Sequence, residues 1–317
     1  RGGYAQRWIR WALVGLLLLS LAGCKGDPRR RVSIVVAGAD TPEQRLLTQM
    51  TVQYLRAKGY RVEDKTALGE AWAVRSALVA GNVDICWEYT ADTWLVQMAH
   101  DQPLVNAQLL WDKIREEDAR RQIRWVAMAD VQRSLCLVVR SDTAEARKWR
   151  TIADLVDYAR WTNPQFWLCV PKERYATSSG IQGLERLYQF RFPQDLVRYT
   201  SIEEGYQALT DGQCDCALGF TTDIPLHAPT LRMLQDGRSF FPASYLAVAI
   251  RTSLLEPFPE LEDLLITLAG SLDQQTMADM QRQLVEDKPA TITKRFLGAH
   301  DLLGSKRAKQ QEAPAAP

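Results

Sequence analysis

The chain has 317 residues, 46% of them hydrophobic, and its 39 basic and 38 acidic residues leave a formal net charge of +1. That length accommodates two core-bearing domains. The balanced charge, with basic runs only near the two ends, argues against a nucleic-acid or strongly acidic partner.

In chain order, residues 1–24 read as a lipoprotein signal peptide. Arg1, Arg7 and Arg10 form the positive start, Trp11 to Leu19 an apolar core too short to span a membrane comfortably, and Leu21-Ala22-Gly23-Cys24 a lipobox. Cys24 is the expected lipidation site, anchoring an exported chain to a membrane on its periplasmic or extracellular side. Export makes the other five cysteines informative, because that compartment is oxidising. Cys86, Cys136, Cys169, Cys214 and Cys216 each fall in an apolar, strand-like run and read as buried small hydrophobes. Their odd number leaves open whether any pair. Cys214-Asp215-Cys216 sets two sulfurs on one strand face, without metal-site spacing or a nearby histidine, so neither metal nor cofactor is expected.

From Arg31 to Ala37 the chain reads as a buried strand, and Thr41-Pro42-Glu43-Gln44 opens a helix with an N-cap and a proline in the first turn, running to about Lys58 before Gly59. A strand over Tyr60–Thr66, a helix over Ala71–Ala80 carrying Arg75, and a strand from Val83 to Trp87 follow. The polar, aromatic stretch Glu88-Tyr89-Thr90-Ala91-Asp92-Thr93 then falls at a strand's carboxyl end, where ligands bind in α/β folds. Helices are expected over Trp94–His100 and Trp111–Arg121, then strands over Ile123–Ala129 and Ser134–Arg140 separated by Asp130–Arg133. Thr151 caps a helix to about Arg160, Phe166–Val170 is a strand, Lys172–Gly180 a polar loop and Ile181–Phe190 a helix with Ser178 and Ser179 at its start. A capping box at Ser201 opens a helix to Leu209, and a strand from Cys214 to Gly219 ends in Phe220-Thr221-Thr222-Asp223. A strand at Tyr245–Arg251 precedes helical segments over Pro259–Leu272, Gln274–Glu286 and Thr291–Leu303. The Lys, Gln, Ala and Pro of residues 304–317 read as a disordered tail.

Two of these blocks carry a family resemblance. Asp84 to Thr93 resembles the Asp-x-x-x-Glu-Tyr-Thr-Gly-Thr segment, and Asp215 to Asp223 the Asp-x-x-x-Ala-Tyr-Ser/Thr-Thr-Asp segment, of substrate-binding proteins of osmoprotectant ABC importers, which capture glycine betaine, choline, carnitine and related quaternary amines. The likeness extends in order over Val32 to Leu303. Ala71 replaces a cleft threonine, Thr177-Ser178-Ser179-Gly180 replaces Arg-x-Asp-Gly, Phe220 stands at a tyrosine position, and Arg133 falls in a segment that bears an aromatic and two asparagines in the family.

The resemblance implies a two-lobed α/β periplasmic binding protein fold of type II, with a ligand cleft between lobes joined by two crossing segments. Residues 31–133 with 243–303 would form one lobe and 134–242 the other, crossing near Gln132–Leu135 and Phe241–Tyr245. It implies ligand contacts from Gln44, Trp87, Tyr89, Thr90, Asp92, Ser179, Phe220, Thr221, Thr222 and Asp223. Tyr89 and Phe220 would flank a cationic head, because a quaternary ammonium is recognised by ring faces and nearby acids. Arg133 in the cleft would disfavour a cation unless an acid such as Asp92 pairs with it. The implied role is a monomeric solute carrier working with an ABC permease and its ATPase subunit. The same fold binding another small polar solute, or sensing a ligand without transport, is the alternative. No nucleophile elbow, zinc-protease helix or phosphate loop points to an enzyme.

Overall fold

A computed structural model describes residues 28–163 and 165–303. The lipobox with Cys24 and the tail from residue 304 lie outside the described residues. Among the described residues, ten strands form two five-stranded sheets. The first has the order β2-β1-β3-β10-β4, with β1 Ser33–Ala37, β2 Arg61–Lys65, β3 Ile85–Tyr89, β4 Ile123–Arg133 and β10 Ser244–Arg251. The second has the order β7-β6-β8-β5-β9, with β5 Leu135–Arg140, β6 Leu168–Val170, β7 Val197–Tyr199, β8 Cys216–Phe220 and β9 Leu231–Met233. The chain passes from the first sheet to the second at Ser134 and returns between β9 and β10.

Local chemistry places the helices. Helix α1, Pro42–Ala57, starts where the Thr41 hydroxyl accepts the Gln44 N–H, with Pro42 in its first turn. Helix α2, Ala71–Ala80, ends at Gly81, whose φ of 82° is the left-handed cap that favours glycine. Helix α3 spans Ala107–Ala119; α4, Ile152–Trp161, and α6, Ile202–Thr210, open with reciprocal capping boxes at Thr151 and Ser201, while α5 covers Ile181–Tyr188. Helices α7 Leu261–Gly270, α8 Gln274–Gln283 and α9 Pro289–Ala299 join α1 on one face of the first sheet. Leu246, Val248 and Ile250 of β10 alternate into that core, each fully buried and each adding roughly 1.5–3 kcal/mol. The opposite face packs on α2 and α3 through Val74, Leu78, Leu110 and Ile114.

The cysteine expectation is corrected in part. Cys169 and Cys214 form a disulfide, with Cα atoms 6.0 Å apart across a separation of 45 residues, whereas Cys86, Cys136 and Cys216 are free and buried. Closing a loop of that length stabilises by about 4 kcal/mol in the chain-entropy account. Cys214 and Cys216 do not share a strand face, because β8 begins only at Cys216. Cys216 packs with Leu218 on one side, Cys214 with Ala217 and Cys169 on the other.

Three further boundaries differ from expectation, the first being that the polar loop expected over Lys172–Gly180 opens with a short helix, Lys172–Tyr175. Asp130–Arg133 continues β4 rather than interrupting it, since Ser244 pairs with Arg133 and Tyr245 with Gln132 in the antiparallel ladder. The strand expected to end at Trp87 runs on through Tyr89, and the polar stretch beyond it forms helical turns over Thr90–Asp92 and Thr93–Gln97.

Candidate ligand-binding site

The two sheets bring four strand ends to one place. Tyr89 ends β3, Arg133 ends β4, Phe220 ends β8 and Ser244 starts β10, while Leu135, at the start of β5, pairs with Phe220. The register therefore carries residues from both sheets to one cleft, which is lined by Asp92, Arg133, Arg174, Ser179 and Phe220 among others. Its cavity is only about 20 Å³, room for a single water.

The centre of the cleft is the Arg133 guanidinium. Its Cζ lies 3.8 Å from the centroid of the Tyr89 ring and 4.0 Å from that of Phe220. Arg133 Nη2 donates to Asp92 Oδ2 at 2.8 Å, and Arg174 Nη2 donates to Asp92 Oδ1 at 2.7 Å. One carboxylate thus holds two guanidinium groups, the arrangement under which a cation in the cleft is tolerated. Glu43 Oε1 lies 3.9 Å from Arg133 Nη1, too far for a hydrogen bond, and its other oxygen accepts from Gln281 Nε2 at 2.9 Å. Glu43 Oε1, Tyr89 Oη and Arg133 Nε are buried without a hydrogen-bond partner among the described residues.

Electrostatics follow from these contacts. Burial works against the charged form of Asp92, yet the Arg174 and Arg133 guanidinium groups outweigh it and hold the carboxyl down at about 2. Burial likewise opposes the charge on Arg133, but Asp92 keeps its pKa raised above the ordinary arginine value. Glu43 moves the other way: burial pushes its carboxyl up against the pull of Arg133.

The expected contact residues divide into three groups. Tyr89, Asp92, Ser179 and Phe220 meet at the cleft. Thr90, Thr221, Thr222 and Asp223 belong to its frame. Thr90 Oγ1 accepts the Tyr245 N–H at 3.0 Å, Thr221 Oγ1 accepts the Ser134 N–H at 3.1 Å, Thr222 is buried, and Asp223 Oδ2 accepts from the Tyr206 hydroxyl at 2.6 Å and the Phe220 N–H at 2.9 Å. Gly219 lets Tyr206 reach that acid, because a Cβ there would meet the Tyr206 oxygen at 1.8 Å. Trp87 is the correction: its ring is buried in the first core, with Nε1 donating to Thr51 Oγ1 at 2.8 Å, because it shares a face of β3 with Tyr89 but sits two residues back from the strand end that reaches the cleft. Gln44 is half-buried at the start of α1 and does not line the cavity.

Glu88, inside the first family-like segment, faces away from the cleft. It accepts from Thr93 Oγ1 at 2.7 Å and lies 3.7 Å from Arg75 Nη1, in a buried cluster where Arg75 also pairs with Asp118 at 2.5 Å. Asp84, which opens that segment, accepts the Val35 N–H at 2.8 Å and so ties β3 to β1. Much of the segment therefore builds the frame. The expectations missed Glu43 and Arg174; the available signal was an acid directly beside Gln44 and a basic residue in the loop facing Asp92's segment.

The model of a family described as the substrate binding domain of an ABC-type glycine betaine transport system matches residues 32–299. A glycine-betaine-binding protein of Pseudomonas aeruginosa is 26% identical over 306 residues, covering 94% of this chain and 98% of its own. The glycine betaine-binding protein YehZ of Escherichia coli is 28% identical over 287 residues, covering 86% and 91%. The solved structure of apo YehZ from that organism superposes with a TM-score of 0.62 at 24% identity, covering 85% of this chain and 99% of the other. The fold is thus the two-lobed type II periplasmic binding protein fold. Matched over residues 32–299, this chain belongs to the family of substrate-binding domains of ABC-type glycine betaine transport systems.

Proposed function

We propose that this protein captures a small quaternary-amine osmoprotectant of the glycine betaine, choline and carnitine kind in the cleft between its sheets and delivers it to a membrane permease powered by an ATPase subunit. The observation that carries the ligand class is the pair of ring faces, Tyr89 and Phe220, already holding a cation between the two sheets. A quaternary ammonium has no N–H to donate and is bound by ring faces at roughly 0.5–2 kcal/mol each. In this reading residues 31–133 with 243–303 form one lobe, 134–242 form the other, and Ser134 and the segment between β9 and β10 act as the hinge. The solute is bound and released unchanged by a monomer. Titration calorimetry on the full chain in detergent is the test. Glycine betaine, choline or carnitine should give saturable heat, and Tyr89→Ala should weaken binding about tenfold through the lost ring face and buried area. Absence of heat from all three at millimolar concentration, with another solute binding, would remove the ligand assignment.

The anchor is part of the same reading: a lipid on Cys24 holds the chain to a membrane on the side where solute is collected. Cys24→Ala should move the protein from the membrane to the soluble fraction with its precursor uncut at that position. Unchanged retention and processing would count against the anchor.

A further inference from the structure

The cage expected to take the ligand's cationic head holds a cation of the protein's own. Arg133 Cζ stands 3.8 Å and 4.0 Å from the two ring centroids, and Asp92 neutralises it from 2.8 Å. With the guanidinium in place the cleft offers about 20 Å³, room for a water and far short of a trimethylammonium group. We propose that Arg133 is a built-in competitor for the cage, which a solute must displace, and that this selects zwitterions bearing both a quaternary ammonium and a carboxylate over plain quaternary cations.

The selection follows from what displacement leaves behind. Arg133 ends β4 one residue before the chain crosses between sheets, so its side chain swings from a position next to the crossing. Once out of the cage, the guanidinium loses two ring faces, and its Nε lacks a hydrogen-bond partner among the described residues even before release. A carboxylate on the solute compensates by accepting from the guanidinium in a two-point fork, with Arg174, 2.7 Å from Asp92, as a second cation nearby. The solute's cation meanwhile inherits the two rings and the charge of Asp92. A cation without a carboxylate, such as choline, gains the cage but leaves the displaced guanidinium uncompensated.

The inference rests on the quaternary-amine reading above, and the experiment separates the two. Glycine betaine, choline and tetramethylammonium are titrated into the full chain in detergent as wild type, Arg133→Ala and Arg133→Gln, with melting curves to establish that each is folded. Arg133→Gln keeps much of the side-chain volume and serves if the alanine variant does not fold. The expected result is that wild type prefers glycine betaine, while both variants bind choline and tetramethylammonium at least about tenfold tighter than wild type does, and the betaine preference narrows. If wild type binds glycine betaine but the variants bind choline no more tightly, the competitor role falls and the ligand class stands. Silence from all three solutes in all three proteins would overturn both.

Discussion

Asp92 carries the charge balance of the cleft, and its behaviour with pH can be worked out from its neighbours. Its carboxyl is held at about 2 from an ordinary value near 3.8, so its pairing contributes roughly 2 kcal/mol, fully present above pH 4 and lost as pH falls through 2. The gap in melting stability between wild type and Asp92→Asn should therefore be flat from pH 7 to about 4 and close between 4 and 2. A gap that does not change with pH would mean that the two arginines do not act on Asp92 as their positions imply. Individual site residues were only partly legible in the sequence. Tyr89, Asp92 and Phe220 fall in recognisable segments, and the resemblance itself raises a pairing of Asp92 with Arg133, but Asp92 also meets Arg174 across a separation of 82 residues, and nothing local announces that bond. Glu43 looked like an ordinary first-turn acid of α1; only the packed fold turns it inward toward Arg133 and Gln281. Trp87 shows the complementary point: it shares a face of β3 with Tyr89, and only its depth along the strand puts it in the core against Thr51 rather than at the cleft.

Elements were far more legible, because their signals are local. Thr41, Thr151 and Ser201 cap helices, and Gly81 stops one with the positive φ that an L side chain resists. What was not legible depends on partners. The polar run Asp130–Arg133 looks like a connection, yet it continues β4 because β10 supplies a ladder as far as Ser244. Strand β7 has only three residues and exists by pairing with β6, too short for a period to register. The Cys169–Cys214 bond joins β6 to the lead-in of β8, and a pairing of that kind cannot be read from spacing in a chain with an odd number of cysteines. The same dependence on partners explains the first family-like segment, where Asp84 and Glu88 bond inside the first sheet and its packing while the neighbouring Tyr89 reaches the cleft.

Across the whole molecule, contacts between the two halves concentrate at the cleft. Asp92 and Arg174 join residues near β3 to the short helix Lys172–Tyr175 after β6, and the Ser178 hydroxyl donates to the Asp101 carbonyl. With the Arg133 guanidinium on the Phe220 ring, these contacts are polar or cation–ring in kind, while the two cores are separate clusters. Contacts of that kind can open and reclose without disturbing either core, as capture of a solute between lobes requires. Arg133 links this motion to recognition, since it sits beside a crossing and against rings from both sheets. The most direct test is a crystal structure of the protein grown with glycine betaine. The expected result is a trimethylammonium group against Tyr89 and Phe220, with the Arg133 guanidinium out of the cage and bonded to the carboxylate. A solute bound elsewhere, or bound with Arg133 still seated on both rings, would contradict the account.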